Sequence, residues 1–153
     1  MRLAEALARR ADLQWRVEQL RARMRQSALV QEGEAPVEDV EALLGQAEEV
    51  VAELERLVRG INRTNLSSML ADGSTTLTDA LARRDALALR RSVIGTLVEA
   101  ASQRMPRYGR QEIKILSTVE VGPLRRRMDE LAKDRRELDT AVQQANWNIE
   151  LME

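Results

Sequence analysis

The side chains that could carry chemistry in this sequence are few. The 153 residues include no Cys and no His, so the groups needed for thiol catalysis, Ser-His-Asp triads and the usual zinc and haem sites are missing. Acid–base chemistry would fall to carboxylates, to Tyr108 and to the two lysines, Lys114 and Lys133. An enzyme that uses carboxylates or a metal is therefore the least favoured hypothesis. No catalytic residue, metal, cofactor or small-molecule ligand is predicted.

Arginines interrupt the apolar seams of the helical segments, and acidic residues lie near them in the sequence. One interpretation is that they are buried cations that bind an anionic ligand. The other is that their stems pack in the seam while their guanidinium groups pair with carboxylates across helices and set the register. We favour the second interpretation. The predicted structural ion pairs involve Arg10, Arg84, Asp85, Arg135 and Asp139.

The charge of the chain is nearly balanced but unevenly distributed. The formal net charge is −1, and the basic run at 125–127 has acidic neighbours and no aromatic residues for base stacking, so no nucleic-acid partner is predicted. Residues 1–30 carry a charge of +4, whereas residues 31–60 carry −7. These stretches are predicted to form neighbouring helices whose flanks attract each other, each exposed pair contributing about 0.2–1 kcal/mol.

Gly and Pro clusters divide the chain into four long segments, each with helical periodicity. Pro36 and Pro123 fit the first turns of the second and fourth helices, and Thr76 begins a sequence that resembles a capping box for the third. The second segment shows the 3-4 spacing of a coiled coil. Its predicted seam is Val37, Val40, Leu44, Ala47, Val51, Leu54, Val58, Ile61 and Asn65.

A repeated stretch predicts how these segments are arranged. The stretch "EALARRADL" at 5–13 recurs in similar form as "DALARRDAL" at 79–87. The similarity has three possible origins: a duplication, two structurally equivalent hairpins without common descent, or chance among helices rich in Ala, Leu and Arg. The predicted fold is all-α, an elongated antiparallel bundle of four long helices that form two helical hairpins. We expect a single helical domain over 1–153, with hairpin 1 over about 2–71 and hairpin 2 over about 76–151.

The connector before the fourth helix carries a different pattern. "EIKILSTVEV" at 112–121 alternates apolar and polar residues and is rich in β-branched side chains, which predicts a short strand. A lone strand leaves its backbone groups unpaired. It would pair with "ALVQ" at 28–31 or with its own copy in a second chain, and we slightly favour pairing within the chain.

Two tryptophans lie outside the helical seams. Trp15 belongs to a second apolar stripe on the first helix, together with Ala11 and other alanines. This stripe would form either an extra contact within the bundle or a subunit interface, where Trp is enriched. A slender bundle favours the interface and therefore a homo-oligomer. The candidate interface residues are Trp15, Ala11, Ile113, Ile115, Val119 and Trp147.

Several segments together resemble the septicolysin-like family of small bacterial proteins. The resemblance covers nearly the whole chain and implies a helical protein of unestablished function whose family label points to a cytolysin. It brings no catalytic residues. The segments that carry it are "LAEALARRADLQ" (3–14), "VQEGE" (30–34), "INRTN" (61–65), "LTDALARRD" (77–85), "EIKILSTVEV" (112–121) and "LDTAVQQANW" (138–147).

The favoured function is a non-enzymatic, self-associating helical protein with a structural or interaction role. The alternative is a membrane-active, pore-forming cytolysin, as the family label implies. We rank it second because packing of the helices on each other accounts for their apolar stripes. The sequence has no apolar window of about 18–20 residues and no signal peptide at its start. We therefore expect a cytoplasmic location, no membrane partner, and further copies of the same chain as the partner.

Overall fold

The computed structural model of this protein describes residues 1–103 and 115–152. In these ranges the chain forms four α-helices and no sheet, with isolated bridges between Arg2 and Glu150 and between Met69 and Thr76. The prediction of an all-α fold with four long helices is confirmed. The helices are α1 (Leu3–Ser27), α2 (Val40–Ser67), α3 (Leu77–Ser102) and α4 (Val121–Asn148).

The helices are shared between two compact units. Unit 1 comprises Met1–Leu77 together with Gln143–Glu153, and unit 2 comprises Thr78–Val142. Unit 1 therefore contains α1, α2 and the last residues of α4, whereas unit 2 contains most of α3 and the greater part of α4.

The strand predicted over 112–121 is wrong for the residues that the structure describes. Residues 115–120 form coil and bend, and α4 begins at Val121; residues 112–114, and with them the candidate Ile113, lie outside the described residues. The hydroxyl of Ser117 accepts a hydrogen bond from the Val119 N–H at 3.3 Å and donates one to the Val119 carbonyl at 2.7 Å. These local bonds occupy backbone groups that a strand would direct to a neighbour, which explains the bend.

The buried and half-buried residues of α1 follow the seam that its spacing predicts, which is Leu3, Ala6, Arg10, Leu13, Val17, Leu20 and Met24. Its buried residues follow the 3-4 pattern, with half-buried Arg10, Val17 and Met24 completing it. In unit 1 this seam packs against α2. The buried residues of α1 are Leu3, Ala6, Leu13, Leu20 and Ser27.

The predicted seam of α2 is wrong at every second position, where the structure buries the residue before the predicted one. The structure buries Leu43, Val50, Leu57, Ile61 and Thr64. The residues that follow the first two of these, Leu44 and Val51, are exposed instead. The apolar surface of α2 is wider than a single seam, and neighbouring stripes on a helix have the same period. Periodicity alone therefore does not identify the stripe that α1 covers.

Ion pairs join the flanks of α1 and α2. Arg9 Nη2 lies 2.8 Å from Glu53 Oε1, and the Arg23 guanidinium forms a two-pronged pair with Glu38. Hydrogen bonding with Arg23 lowers the pKa of Glu38 and raises that of the arginine. Arg9, early in α1, pairs with Glu53 inside α2, whereas Arg23, late in α1, pairs with Glu38, which lies just before α2. The two helices therefore run in opposite directions. The predicted attraction between 1–30 and 31–60 is confirmed.

The start of α2 differs from the prediction, whereas the other two starts agree with it. Asp39 caps α2, and its Oδ1 accepts hydrogen bonds from the backbone N–H groups of Glu41 at 3.0 Å and Ala42 at 3.4 Å. Pro36 therefore lies outside the helix, which begins at Val40. An Asp cap is favourable because its carboxylate accepts hydrogen bonds from the free N–H groups of the first turn, whereas a Pro at the first helical position only lacks one such N–H group. Pro123 does lie in the first turn of α4, and α3 begins directly after Thr76.

The two ends of the chain meet in unit 1. The Leu3 N–H donates to the Ile149 carbonyl and the Leu151 N–H to the Met1 carbonyl, both at 2.9 Å. The residues after α4 then pass over Gly60 of α2 so closely that a Cβ there would lie 2.8 Å from the Met152 carbonyl oxygen. Gly60 is therefore required by this close approach of two backbones.

We predict that Gly60→Ala lowers the free energy of unfolding by about 1–3 kcal/mol, because the added methyl group forces the 149–152 segment away from α2. The matched control is Gly45→Ala in the same helix, where a Cβ meets nothing within 4 Å. That control should gain about 0.5–1 kcal/mol from helix propensity. Urea unfolding followed by circular dichroism measures both, and equal effects of the same sign would contradict the close-packing argument.

The turn between α2 and α3 is organised by Asp72. Its carboxylate accepts hydrogen bonds from the Ser74 and Thr75 N–H groups at 2.9 Å and from the Thr75 hydroxyl at 2.7 Å. These bonds favour the charged form and lower the pKa of Asp72 from its ordinary 3.8 to about 2. Gly73, at φ +68°, supplies the left-handed residue that the turn needs.

We predict that the Asp72 carboxyl titrates near pH 2 in NMR spectra of its side-chain carbon. Because the pKa is lower in the folded state, this contribution to stability is complete above about pH 4 and is lost as the pH falls through about 2. Thr75→Val removes the hydroxyl donor and should raise the midpoint towards 3.8. A wild-type midpoint at 3.8 would show that the turn bonds do not form in solution.

Candidate functional site

Among the described residues of unit 1, two grooves lie beside the contact between α1 and α2. The first, which we call the Trp15 groove, has a volume of about 430 Å³. Trp15 and Val17 of α1 and Val51 and Leu54 of α2 form its apolar walls. Its polar lining residues are Gln14, Glu18 and Arg21, of which the last two form an ion pair at 2.7 Å.

Large apolar side chains are unusually open to solvent around the Trp15 groove. Trp15 is 65% exposed and Val51 49% exposed, and Leu44, one heptad before Val51, is 44% exposed. We call Leu44 and Val51 the outer stripe of α2, because they lie directly beside the stripe that α1 buries. An exposed apolar surface that continues a buried one can be covered by a further helix.

The second groove, which we call the arginine groove, has a volume of about 510 Å³. Among the described residues it combines apolar side chains with several guanidinium groups and one acidic residue, Glu53, which pairs with Arg9. The apolar part comes from Leu57, Gly60, Leu151 and Met152, together with Met1. The arginines are Arg9, Arg56, Arg59 and Arg63.

Thr64 holds one wall of the arginine groove in place. Its side chain is fully buried; Oγ1 donates to the Gly60 carbonyl at 2.8 Å and accepts from the Met152 N–H at 2.9 Å. The hydroxyl thus connects α2 to the segment after α4. This contact fixes Leu151 and Met152 beside Leu57 and Gly60.

The structure brings together only some of the residues predicted to form ion pairs. In unit 2, Arg84 Nη2 lies 3.1 Å from Asp85 Oδ1, and Arg84 Nη1 lies 3.6 Å from Asp139 Oδ1 of α4. Arg135 is exposed and forms no ion pair with any described residue. Arg10 is half-buried in the α1 seam, and its buried Nε has no hydrogen-bond partner within the described ranges.

The described residues among the predicted interface residues are divided between the two units. Trp15 lies in the Trp15 groove and Ala11 is exposed on the same helix, whereas Trp147 is exposed elsewhere in unit 1 and lines neither groove. In unit 2, Ile115 is exposed and Val119 half-buried.

An apolar face on α3 in unit 2 was not predicted from the sequence. Leu89, Val93 and Leu97 are all exposed there, Leu89 to 67%. The 74-residue offset of the repeat aligns Leu89 with Trp15, so each repeat presents a large exposed apolar residue at the same position. This alignment could have predicted the exposed apolar face of α3 from the sequence.

The arginine groove was also missed. Arg56, Arg59 and Arg63 recur at helical spacing, which places them on one side of α2, and this was readable from the sequence. The apolar residues that complete the groove come from the other end of the chain, and no local pattern shows that they lie there.

Two further observations concern the described residues only. No three acidic side chains come together in a way that could hold a metal ion. None of the helices is both long enough and apolar enough to cross a lipid bilayer.

Comparison with known proteins places the chain in a family. Residues 10–151 match the model of a family described as "Family of unknown function (DUF6847)". The chain belongs to this family. Its fold is similar to a crystal structure of a functionally unknown conserved protein from Corynebacterium diphtheriae, with 40% sequence identity, a TM-score of 0.89 and 99% of each chain covered. No curated protein matches the chain.

Membership of DUF6847 corrects the septicolysin-like resemblance, which is wrong. The family model spans most of the segments that carried the resemblance, and neither it nor the similar structure points to a cytolysin. The quoted segments are short and mostly rich in Ala, Leu and Arg, a composition that many amphipathic helices share. The pore-forming alternative therefore loses the resemblance on which it was based.

We predict that Thr64→Val lowers the free energy of unfolding by about 1–2 kcal/mol, since it removes the buried hydroxyl that accepts from the part-buried Met152 N–H while keeping the volume. Thr64→Ser keeps the hydroxyl and is the matched control for the lost bond. Amide hydrogen exchange at Met152 provides the local readout. Unchanged exchange in Thr64→Val would contradict the role of this hydroxyl in holding the groove wall.

Proposed function

We propose that this DUF6847 protein is a non-enzymatic helical interaction protein that self-associates through the Trp15 groove. The observation that carries the proposal is the exposure of Trp15 beside Val51, in a concave apolar surface. Tryptophan is over-represented among the residues that dominate binding energy at protein interfaces. A second copy of the chain presents the same surface and can cover it.

The shape of the apolar surface supports a helical partner. Leu44 and Val51 are one heptad apart, and Trp15 and Leu54 extend the surface from this outer stripe towards α1. A helix that packs along the outer stripe would meet apolar side chains at the spacing that helices use to interdigitate. Two-fold association of identical surfaces is the commonest form of homo-oligomer. The outer stripe and Trp15 of one subunit would then cover those of the other.

The remaining parts of the proposal come from the sequence. The absence of His and Cys from the chain supports a role without catalytic chemistry. The balanced net charge supports self-association over nucleic-acid binding, and we propose the cytoplasm as the location. A single domain of two helical hairpins stays a prediction.

We predict that the wild-type protein sediments as a dimer or larger oligomer at micromolar concentration, and that Trp15→Gln weakens this association roughly 30-fold, as expected for a residue that contributes about 2 kcal/mol to an interface. Trp147→Gln is the matched control, because it removes a second Trp that is 64% exposed and lies outside the groove. Circular dichroism should show the same helix content in all three proteins.

Sedimentation velocity over a range of concentrations measures the outcome. A wild-type protein that stays monomeric at every concentration contradicts self-association. Equal weakening by Trp15→Gln and Trp147→Gln contradicts the placement of the interface at the Trp15 groove.

A further inference from the structure

We propose that the arginine groove of unit 1 binds a small anionic amphiphile, meaning a molecule with a carboxylate or phosphate head and an aliphatic chain. This site is separate from the Trp15 groove, and the proposal does not depend on self-association. It rests on the residue composition, the charge and the shape of the groove.

The apolar part of the groove is built from several segments of the chain. Leu57 is largely buried on α2, and Gly60 contributes no side chain, so the groove stays open beside it. Leu151 and Met152 close the groove from the other side, where the Thr64 hydroxyl holds the Met152 backbone. The floor is therefore a formed surface of the folded unit and can receive an aliphatic chain without rearrangement.

The described lining of the groove is rich in arginine. It has four guanidinium groups, whereas Glu53 is the single carboxylate among the described residues that line it. Both Arg9 Nε and Arg9 Nη2 donate to one oxygen of Glu53, at 2.9 and 2.8 Å, so Glu53 neutralises Arg9 in particular. Arg59 Nη1 lies 3.8 Å from Glu55 Oε1 of the same helix, and both side chains are mostly exposed to solvent. Exposed pairs of this kind contribute little.

Arg56 is the residue best placed to recognise the anion. Its side chain is exposed on the groove, and it forms no ion pair with any described residue. The planar fork of a guanidinium matches two oxygens of a carboxylate or phosphate. Arg59, whose pair with Glu55 is exposed to solvent, adds long-range attraction for the same charge.

The dimensions of the groove favour a small molecule. A volume of about 510 Å³ falls in the range typical of ligand pockets, roughly 300–1,000 Å³. None of the described residues that line the groove is aromatic and able to stack on a base. An apolar floor beneath arginines suits a ligand with one charged end and one aliphatic end, whereas a nucleic-acid backbone would leave that floor uncovered.

Isothermal titration calorimetry of the wild-type protein with octanoate and with octyl phosphate tests the proposal and distinguishes the two head groups. We expect one site per chain for at least one of these probes. Inorganic phosphate, which is the head alone, and 1-octanol, which is the tail alone, should each bind at least tenfold more weakly. A single-stranded oligonucleotide should show no binding that depends on Arg56.

Arg56→Gln should weaken binding of the preferred probe roughly tenfold, the loss expected when one charge-assisted contact is removed. The matched control is Arg16→Gln, which makes the same change at an exposed arginine of α1 outside the groove and should leave the affinity unchanged. Matching far-ultraviolet circular dichroism establishes that both variants fold as the wild type does.

Any one of the following results would overturn the proposal. The first is the absence of binding heat for both octyl probes up to millimolar concentration. The second is equal binding of inorganic phosphate and octyl phosphate, which would mean that the apolar floor has no role. The third is an equal loss of affinity in Arg56→Gln and Arg16→Gln, or oligonucleotide binding that Arg56→Gln abolishes.

Discussion

The packing of α1 against α2 determines most of what unit 1 presents to solvent. α2 carries an apolar surface wider than one helix can cover, and α1 covers the stripe that contains Leu43, Val50 and Leu57. The neighbouring outer stripe is left exposed together with Trp15. The most prominent surface of the unit thus follows from the width of one helical face.

The opposite flank of the buried stripe has a different character. There α2 carries Glu53, Gly60 and several arginines, and the residues after α4 return to close over it. Two features permit this closure: the missing side chain of Gly60 and the two hydrogen bonds of the Thr64 hydroxyl. A single helix therefore separates an apolar surface suited to another helix from a cationic groove suited to an anion.

Patterns of neighbouring residues predicted the features of the fold that neighbouring residues determine. The α1 seam, the starts of α3 and α4, and the charged flanks joined by Arg9 and Glu53 were all readable from spacing, capping and charge. The α2 seam was not, because two adjacent stripes have the same period and only the position of α1 selects one of them. The prediction of a strand was wrong because it used only the alternation of apolar and polar residues over 115–121 and took no account of the Ser117 hydroxyl, which bonds to the nearby backbone. The arginine groove depends on residues about 90 positions apart in the sequence, a proximity that no local motif encodes.

The most direct test of the account is whether Trp15 becomes shielded as the protein concentration rises. A Trp147→Phe variant leaves Trp15 as the only tryptophan, so acrylamide quenching of its fluorescence reports on this residue alone. We expect efficient quenching at nanomolar concentration, because Trp15 is 65% exposed in a single chain, and clear protection at tens of micromolar. Quenching that stays efficient at every concentration would contradict the claim that a second copy covers this surface.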